Sequence, residues 1–495
     1  MQASCARVMA LATLVLGSLS PEALDACKAI SSAAPGRVAM QSSLQYNKEV
    51  NSYWSIALHD VRPACVVFPK SATDISAAVK ILNKHEKVRF AVKSGGHSVT
   101  PTHSSVEDGV LITTSAMVGA TFDKERMVAY VKPGGKWNDV IPMLEKSGVT
   151  MLGGRIGIVG VGGLLTQGGI SFLSSQYGLA ADNIVEWEIV MADGSIKRVK
   201  AEEEPELARA LRGSGNQFGI VSQFTTNVYP IGKVWGGTRL YAADKASQIF
   251  DAYHNTFKKG EDTKAAIILS TFWSPFNVQF FIIFYFYDGP FPPTSGGFAQ
   301  LLNIPYTTST TRTQSYSNLL RENGELPDAL KARISFHTTT VPYVPDRPDI
   351  YEEIRAKFGS LTQHEINQRL IPECSISFEP IPATVGKQSE KRGGNALGLT
   401  ADDPDRMMLA IECAWNLSSD DDLFVRLSEE LTDWIEEQIP EWTKGRDIYL
   451  PYLMNDAGKG QNATGTYRDF GKLKALQAEL DPNGLFRTRT GGFSY

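Results

Sequence analysis

The sequence predicts an α+β chain of two domains, one of them split around the other. Three observations carry this. From about Arg62 to Tyr229, short helical and strand signals alternate and glycines are frequent. From Val234 the strands become long, aromatic and β-branched with helices between them, the texture of an antiparallel sheet backed by helices on one side. After Pro451 the chain is turn-rich, then helical, and closes on Asp481-Pro482-Asn483-Gly484-Leu485-Phe486; this tail is expected to return to the first domain. The expected boundaries are 21–233 for the first domain (core about 61–232), 234–450 for the second and 451–495 for the returning segment.

The elements follow in order. Val88–Val92 is apolar and strand-like. Ser71-Ala72-Thr73-Asp74 opens a helix carrying Ile75, Val79, Ile81 and Leu82. Gly109–Ile112 and Met127–Val131 are strands, the second ending at Pro133-Gly134-Gly135. A helix follows near Trp137–Ser147. Ile184–Met191 is a strand closed by the turn Ala192-Asp193-Gly194-Ser195. Leu207–Leu211 is helical and Gly219–Phe224 extended. In the second domain the strands are Ala265–Phe272, Val278–Tyr287, Ile334–Val341, Ser375–Phe378 and Met407–Trp415, with helices at Tyr351–Phe358 and Leu423–Gln438. A last helix spans Tyr467–Leu480.

The chain has 495 residues, 42% apolar and 21% charged, enough for a large core and too apolar for disorder. With a net charge of −5 and no basic run, nucleic acid is excluded as the main partner. At the N-terminus, Arg7 precedes the short apolar run Val8–Leu16 and the small residues Gly17-Ser18-Leu19-Ser20, the pattern of a signal peptide over residues 1–20. The run is too short to span a bilayer, so a secreted protein without stable membrane insertion is expected. Loss of Cys5 leaves Cys27, Cys65, Cys374 and Cys413, which allow two disulfides in three connectivities. A Cys27–Cys65 bond is expected to tie the mature N-terminus to the first domain. Cys374 and Cys413, on neighbouring strands, are expected to stay reduced and buried. No metal-ligand spacing is present. Asn416-Leu417-Ser418 and Asn462-Ala463-Thr464 are acceptor sites for glycans.

Two glycine segments carry the chemistry. In Lys93-Ser94-Gly95-Gly96-His97-Ser98 the glycines let the backbone turn and present N–H groups to an anion, beside an imidazole. Residues 153–169 hold eight glycines in 17 residues. Glycine is costly to order, so such density implies close approach of the backbone to something. A dinucleotide fingerprint fails, because the third glycine after Gly160 and Gly162 would fall at Leu165. A flexible linker fails too, because Ile156, Ile158, Val159, Val161, Leu164 and Leu165 are too apolar.

These segments, with Pro69–Ile75, Gly134-Gly135-Lys136-Trp137, Tyr177–Ile184, Arg212–Val221 and Asp481–Phe486, resemble the berberine-bridge-enzyme-like FAD-linked oxidases of the PCMH-type, or vanillyl-alcohol-oxidase, superfamily. The resemblance covers nearly the whole chain after the leader. It implies the PCMH-type FAD-binding fold and an FAD bonded covalently to His97. It places the pyrophosphate against Ser94, Gly95, Gly96, His97 and Ser98 and against Gly160, Gly162 and Gly163. Asn183, Ile184, Gly219 and Val221 would lie along the adenosine and ribityl portions, with Val159, Gly169, Tyr177 and Gly178 also at the cofactor. His103 has no such counterpart and is expected on the surface. Many relatives carry a second flavin bond from a cysteine three residues before Val159; that position is Ile156, so a single link is expected. The single link points away from sugar oxidases and toward enzymes of fungal specialised metabolism.

The expected activity is hydride transfer from a small, hydrophobic metabolite to FAD, with O2 reoxidising the flavin to give H2O2, in a monomeric enzyme. The resemblance also nominates the base: Tyr452, on the returning tail, with Glu379 and Asn455 orienting the substrate. Arg155 is a further candidate near the flavin. An oligosaccharide oxidase, a dehydrogenase that excludes O2 and a non-catalytic flavin-binding protein of the same fold are the alternatives.

Overall fold

The computed structural model describes residues 19–257, 262–329 and 331–495. The expected leader lies, but for Leu19 and Ser20, outside the described residues. Ser20 caps the helix Pro21–Ala33, its Oγ accepting from the Ala23 N–H at 3.2 Å. Proline at the first helical turn suits this start, where no N–H partner is needed.

The first half builds two sheets. Val38–Met40, Cys65–Val67, Val110–Thr113 and Phe90–Lys93 lie side by side in that order, the last three parallel. The helix Ala72–Leu82 covers them. Ser71 caps it through Asp74 N–H, and Ile75, Val79 and Leu82 point to the core at helical spacing. The second sheet is antiparallel, in the order Ala120–Asp123, Val128–Val131, Ile220–Asn227, Ile184–Val190 and Ile196–Lys200.

The second half is an eight-stranded antiparallel sheet. Its central order is Val234–Ala242, Val278–Tyr287, Ala265–Ser274, Glu373–Ile381, Arg406–Trp415 and Arg333–Pro342. Side chains alternate across each strand. On Glu373–Ile381, Cys374, Ile376 and Phe378 enter a core shared with the helices Ala246–Asn255, Ile350–Asn367 and Asp421–Trp442. Glu373, Ser375, Ser377 and Glu379 face the opposite way, into a cavity. The alternation on Val278–Tyr287 is the same: Phe281 and Ile283 in the core, Phe280 and Ile282 in the cavity.

The tail packs on the first half. Thr490 pairs with Phe90, the Phe486 ring meets Phe90 edge-on at 5.9 Å, and Arg489 donates to the carbonyls of Leu82, His85 and Val88. The helix expected from Tyr467 begins at Phe470, because a short 3-10 turn at Thr464–Thr466 precedes it, and a further short helix, Leu485–Arg489, follows.

Cys27 and Cys65 are joined, fastening the N-terminal helix to the parallel strands. Cys374 and Cys413 are joined as well, which corrects the expectation of free thiols. They stand directly opposite each other in the antiparallel register, with Cα atoms 4.1 Å apart, so their side chains share one face and meet. Among the described residues no helix is long and apolar enough to cross a membrane.

Candidate functional site

A cavity of about 870 Å³ lies between the glycine segments, the free face of the large sheet and the tail at Leu453–Ala457. Its first wall is backbone. The two glycine segments cross so closely that a Cβ on Gly95 would sit 2.4 Å from Gly160 Cα, and one on Gly160 would sit 2.5 Å from Gly95 N. Only glycine fits at either position. Gly96 has φ +72°, a conformation that side chains resist. Ser94 locks the crossing: its Oγ donates to the Pro133 carbonyl at 2.6 Å and accepts from Gly162 N–H at 3.1 Å. Beneath the turn, Lys93 is buried on Glu49 at 2.5 Å, and Thr113 and Ser115 donate to the same carboxylate. This network satisfies a charge pair whose desolvation would otherwise be costly.

His97 projects from this wall. Its ring stacks on Trp54 at 4.1 Å and 13°, and Phe336 lies 6.4 Å away. Nε2 is shielded from solvent and has no hydrogen-bond partner. Burial, then the nearby Lys136 charge, lowers its pKa to about 3. The imidazole is therefore neutral at physiological pH, and a neutral ring nitrogen is nucleophilic.

The second wall is the sheet face. Phe272 and Phe280 stack at 4.9 Å, and Ile268, Ile282 and Phe284 continue the apolar surface. Carboxylates interrupt it. Glu379 is held by Arg155 at 2.5 Å, both largely buried. Arg155 is the one arginine or lysine among the described residues lining the cavity. Asp456, from the tail, is raised to about 7 by burial and then by Glu379, with Arg155 opposing. Glu412 is raised to about 8 by burial, Glu373 and Asp456.

The sequence-predicted residues divide in two. Ser94, Gly95, Gly96, His97, Ser98, Val159, Gly160, Gly162, Gly163, Gly219 and Val221 line the cavity, as do Glu379, Asn455, Arg155 and Ile156. Gly169, Tyr177, Gly178, Asn183 and Ile184 do not. Asn183 donates to the carbonyls of Tyr177 and Leu179 and accepts from Tyr229 Oη, while Tyr177 stacks on Tyr229 at 3.7 Å. These residues are occupied in holding the loop behind the wall. Gly169 donates its N–H to Asn455 Oδ1 at 2.9 Å, so Asn455 spends its amide on the backbone rather than on a substrate.

Tyr452 is a correction. It is absent from the cavity wall, and its hydroxyl donates to Glu436 in a separate surface depression shared with His337 and Glu429. Burial and the Glu436 carboxylate raise its pKa, the wrong direction for a base. His103 is a second correction: it lines the cavity rim, edge-on to Phe493 at 4.8 Å. Sequence reasoning passed over Asp456, Glu412, Glu373, Trp54 and Phe336. The period-two run Glu373, Ser375, Ser377, Glu379 was a legible polar face; the others depend on register and loop placement.

These residues fit FAD. A groove walled by backbone that excludes any Cβ suits a dinucleotide, and a neutral, unpartnered imidazole nitrogen beside it suits a flavin ring.

Comparison with known proteins agrees. A family model for the FAD binding domain matches residues 63–200. An FAD-linked oxidoreductase of Arthroderma benhamiae is 32% identical, the match covering 92% of each chain. An FAD-dependent monooxygenase of Emericella nidulans is 30% identical over 94% of this chain and 97% of its own. The crystal structure of berberine bridge enzyme from Eschscholzia californica superposes with a TM-score of 0.70 over 95% of this chain and 99% of that one, at 16% identity, and so shares the fold. The chain belongs to the FAD-linked oxidoreductases, with the PCMH-type FAD-binding fold, and is an FAD-dependent enzyme.

Proposed function

We propose that this FAD-linked oxidoreductase is a secreted oxidase, holding FAD by a single covalent bond from His97. It takes a hydride from a small hydrophobic metabolite of fungal specialised metabolism, with O2 as final acceptor and H2O2 as product. The observation that carries the reading is His97: neutral, stacked on Trp54 and with Nε2 unpartnered at the cavity. The fungal relatives support the metabolic setting.

FAD, when bound, supplies the hydride acceptor. The chain does the rest. Ser94–Ser98 and Gly160–Gly163 provide the backbone groove for the cofactor. Ile156 lines the cavity where a second covalent link would need a thiol, and isoleucine has none. The rings of Phe272, Phe280 and Phe284 exclude water and hold an apolar substrate.

Loss of hydride from a carbon bearing oxygen or nitrogen leaves positive charge unless a proton departs, so a base is required. Asp456 is suited to that role. It lines the cavity, half-buried, and, at about 7, balances availability against basicity. Arg155 holds Glu379 in place beside it and limits the charge that Asp456 meets. Asn455, bonded to Gly169, fixes the backbone from which Asp456 projects.

The test is direct. Acid-precipitated protein should keep its yellow colour, and a digest should yield one flavin-peptide, containing His97. Acid-stable flavin in His97→Ala, or any second flavin-peptide, defeats the assignment. Peroxide release in air separates an oxidase from a dehydrogenase.

A further inference from the structure

Across the sheet face runs a transverse row whose carboxyl, Glu412, has no part in the proton transfer assigned to Asp456. In the antiparallel register, Phe280 stands opposite Phe272, Phe272 opposite Ser375, Ser375 opposite Glu412, and Glu412 opposite Phe336. All five line the cavity. A carboxyl group is therefore set in a row of phenyl rings, and Phe336 at its end approaches His97.

No arginine or lysine among the described residues pairs with Glu412, Glu373 or Asp456, since Arg155 is taken by Glu379. The cavity thus holds more acid than its cation can balance. An independent group agrees in sign. Asn323 is only 3% exposed and lines the same cavity. Its Nδ2 donates to the Arg155 carbonyl at 3.0 Å, which leaves Oδ1, an acceptor, without a partner. Carboxylates, an orphaned acceptor and ring faces all seek a donor-rich cation.

Resting on the reading of this cavity as the substrate site, we propose that the substrate is a protonated hydrophobic amine, its ammonium group seated on Glu412 among Phe336, Phe272 and Phe280. An organic acid finds no free cation there, Arg155 being taken by Glu379, and a neutral alcohol would leave Glu412 protonated, without a charge-assisted contact. Glu412, raised to about 8, faces Glu373 on the adjacent strand, Asp456 on the tail and the uncharged Ser375 and Phe336. An arriving cation draws its proton off, so binding releases a proton near neutral pH.

The experiment is calorimetric titration of the flavin-loaded protein with benzylamine, benzyl alcohol and benzoate. Benzylamine should bind about tenfold or more tighter than benzyl alcohol, the scale of a charge-assisted contact with aromatic support. Benzoate should be weakest. Glu412→Gln should erase the preference and leave the flavin content unchanged. In the wild type, binding enthalpies in buffers of different ionisation heat should report proton release, a reading that needs no variant. Equal or tighter binding of benzyl alcohol or benzoate, no amine binding at millimolar concentration, no proton release, or a preference that survives in Glu412→Gln overturns the proposal. Failure of the His97 link would appear separately, as acid-labile flavin, with the amine preference intact.

Discussion

The two walls of the cavity are built on opposite principles. The cofactor wall is mostly backbone: Gly95 and Gly160 touch through main-chain atoms, Ser94 and Lys93 brace the crossing, and the His97 ring projects from it. The sheet wall is side chain: each strand presents alternate residues, and its character comes from which strands are neighbours. Where Gly95 and Gly160 cross, the first wall tolerates no added side chain and therefore little variation. The second can change its chemistry one residue at a time without touching the core on its other face. A family that keeps one cofactor and varies its substrates is well served by that division.

The largest effect should come from breaking the backbone wall. Gly95→Ala puts a methyl 2.4 Å from Gly160 Cα, where nothing can yield. Overpacking of this kind costs about 3 kcal/mol, and flavin incorporation, read from the ratio of visible to protein absorbance, should be lost. Gly163→Ala sharpens the contrast, because nothing lies within 4 Å of its Cβ. Its melting temperature should be unchanged, and any fall in flavin content then reports contact with the cofactor itself.

On the sheet-and-tail side the largest effect is on rate. Asp456→Asn should slow flavin reduction by stopped flow roughly 10²-fold, the scale of a lost general base, with flavin content retained. A wild-type reduction rate would remove Asp456 from the mechanism.

The carboxyls of that wall also set a pH dependence. Their folded-state pKa values are raised, Asp456 to about 7 and Glu412 to about 8, so the folded protein binds more protons than the unfolded chain between about pH 4 and pH 8. Their contribution to stability is complete below about pH 4 and is lost as pH rises through 7 and 8. Thermal melts should show a decline over that window, and Glu412→Gln should flatten part of it. A decline of the same depth in the variant would argue against Glu412.

The smallest effect belongs to Tyr452→Phe. Removing a hydroxyl that serves Glu436 outside the cavity should leave flavin reduction within about twofold, while a conventional hydrogen bond worth about 1 kcal/mol is lost from stability.

The two disulfides repeat the contrast between the walls. Cys27–Cys65 was expected from the sequence as a tie between the mature N-terminus and the first domain, and the structure joins them. Cys374–Cys413 depends on two strands, 39 residues apart in sequence, being adjacent and in register.

His97 and Ile156 were singled out only through the family resemblance; the sequence by itself determined the two glycine-rich segments and the strands of the second half. Local geometry writes those directly: a backbone that must pass close admits only glycine, and a two-faced strand alternates. Element ends were less legible, as at Tyr467, where a turn displaced the helix start. The tertiary structure alone decided the rest. Tyr452 and Asp456 are four residues apart on one irregular tail, yet one side chain leaves the cavity and the other enters it. No periodicity governs such a segment, so its directions are set by what it packs on. Glu412 joins Phe272, Phe280 and Phe336 only through strand order and register. Those pairings are long-range, and a sheet face acquires its chemistry only when the strands are side by side.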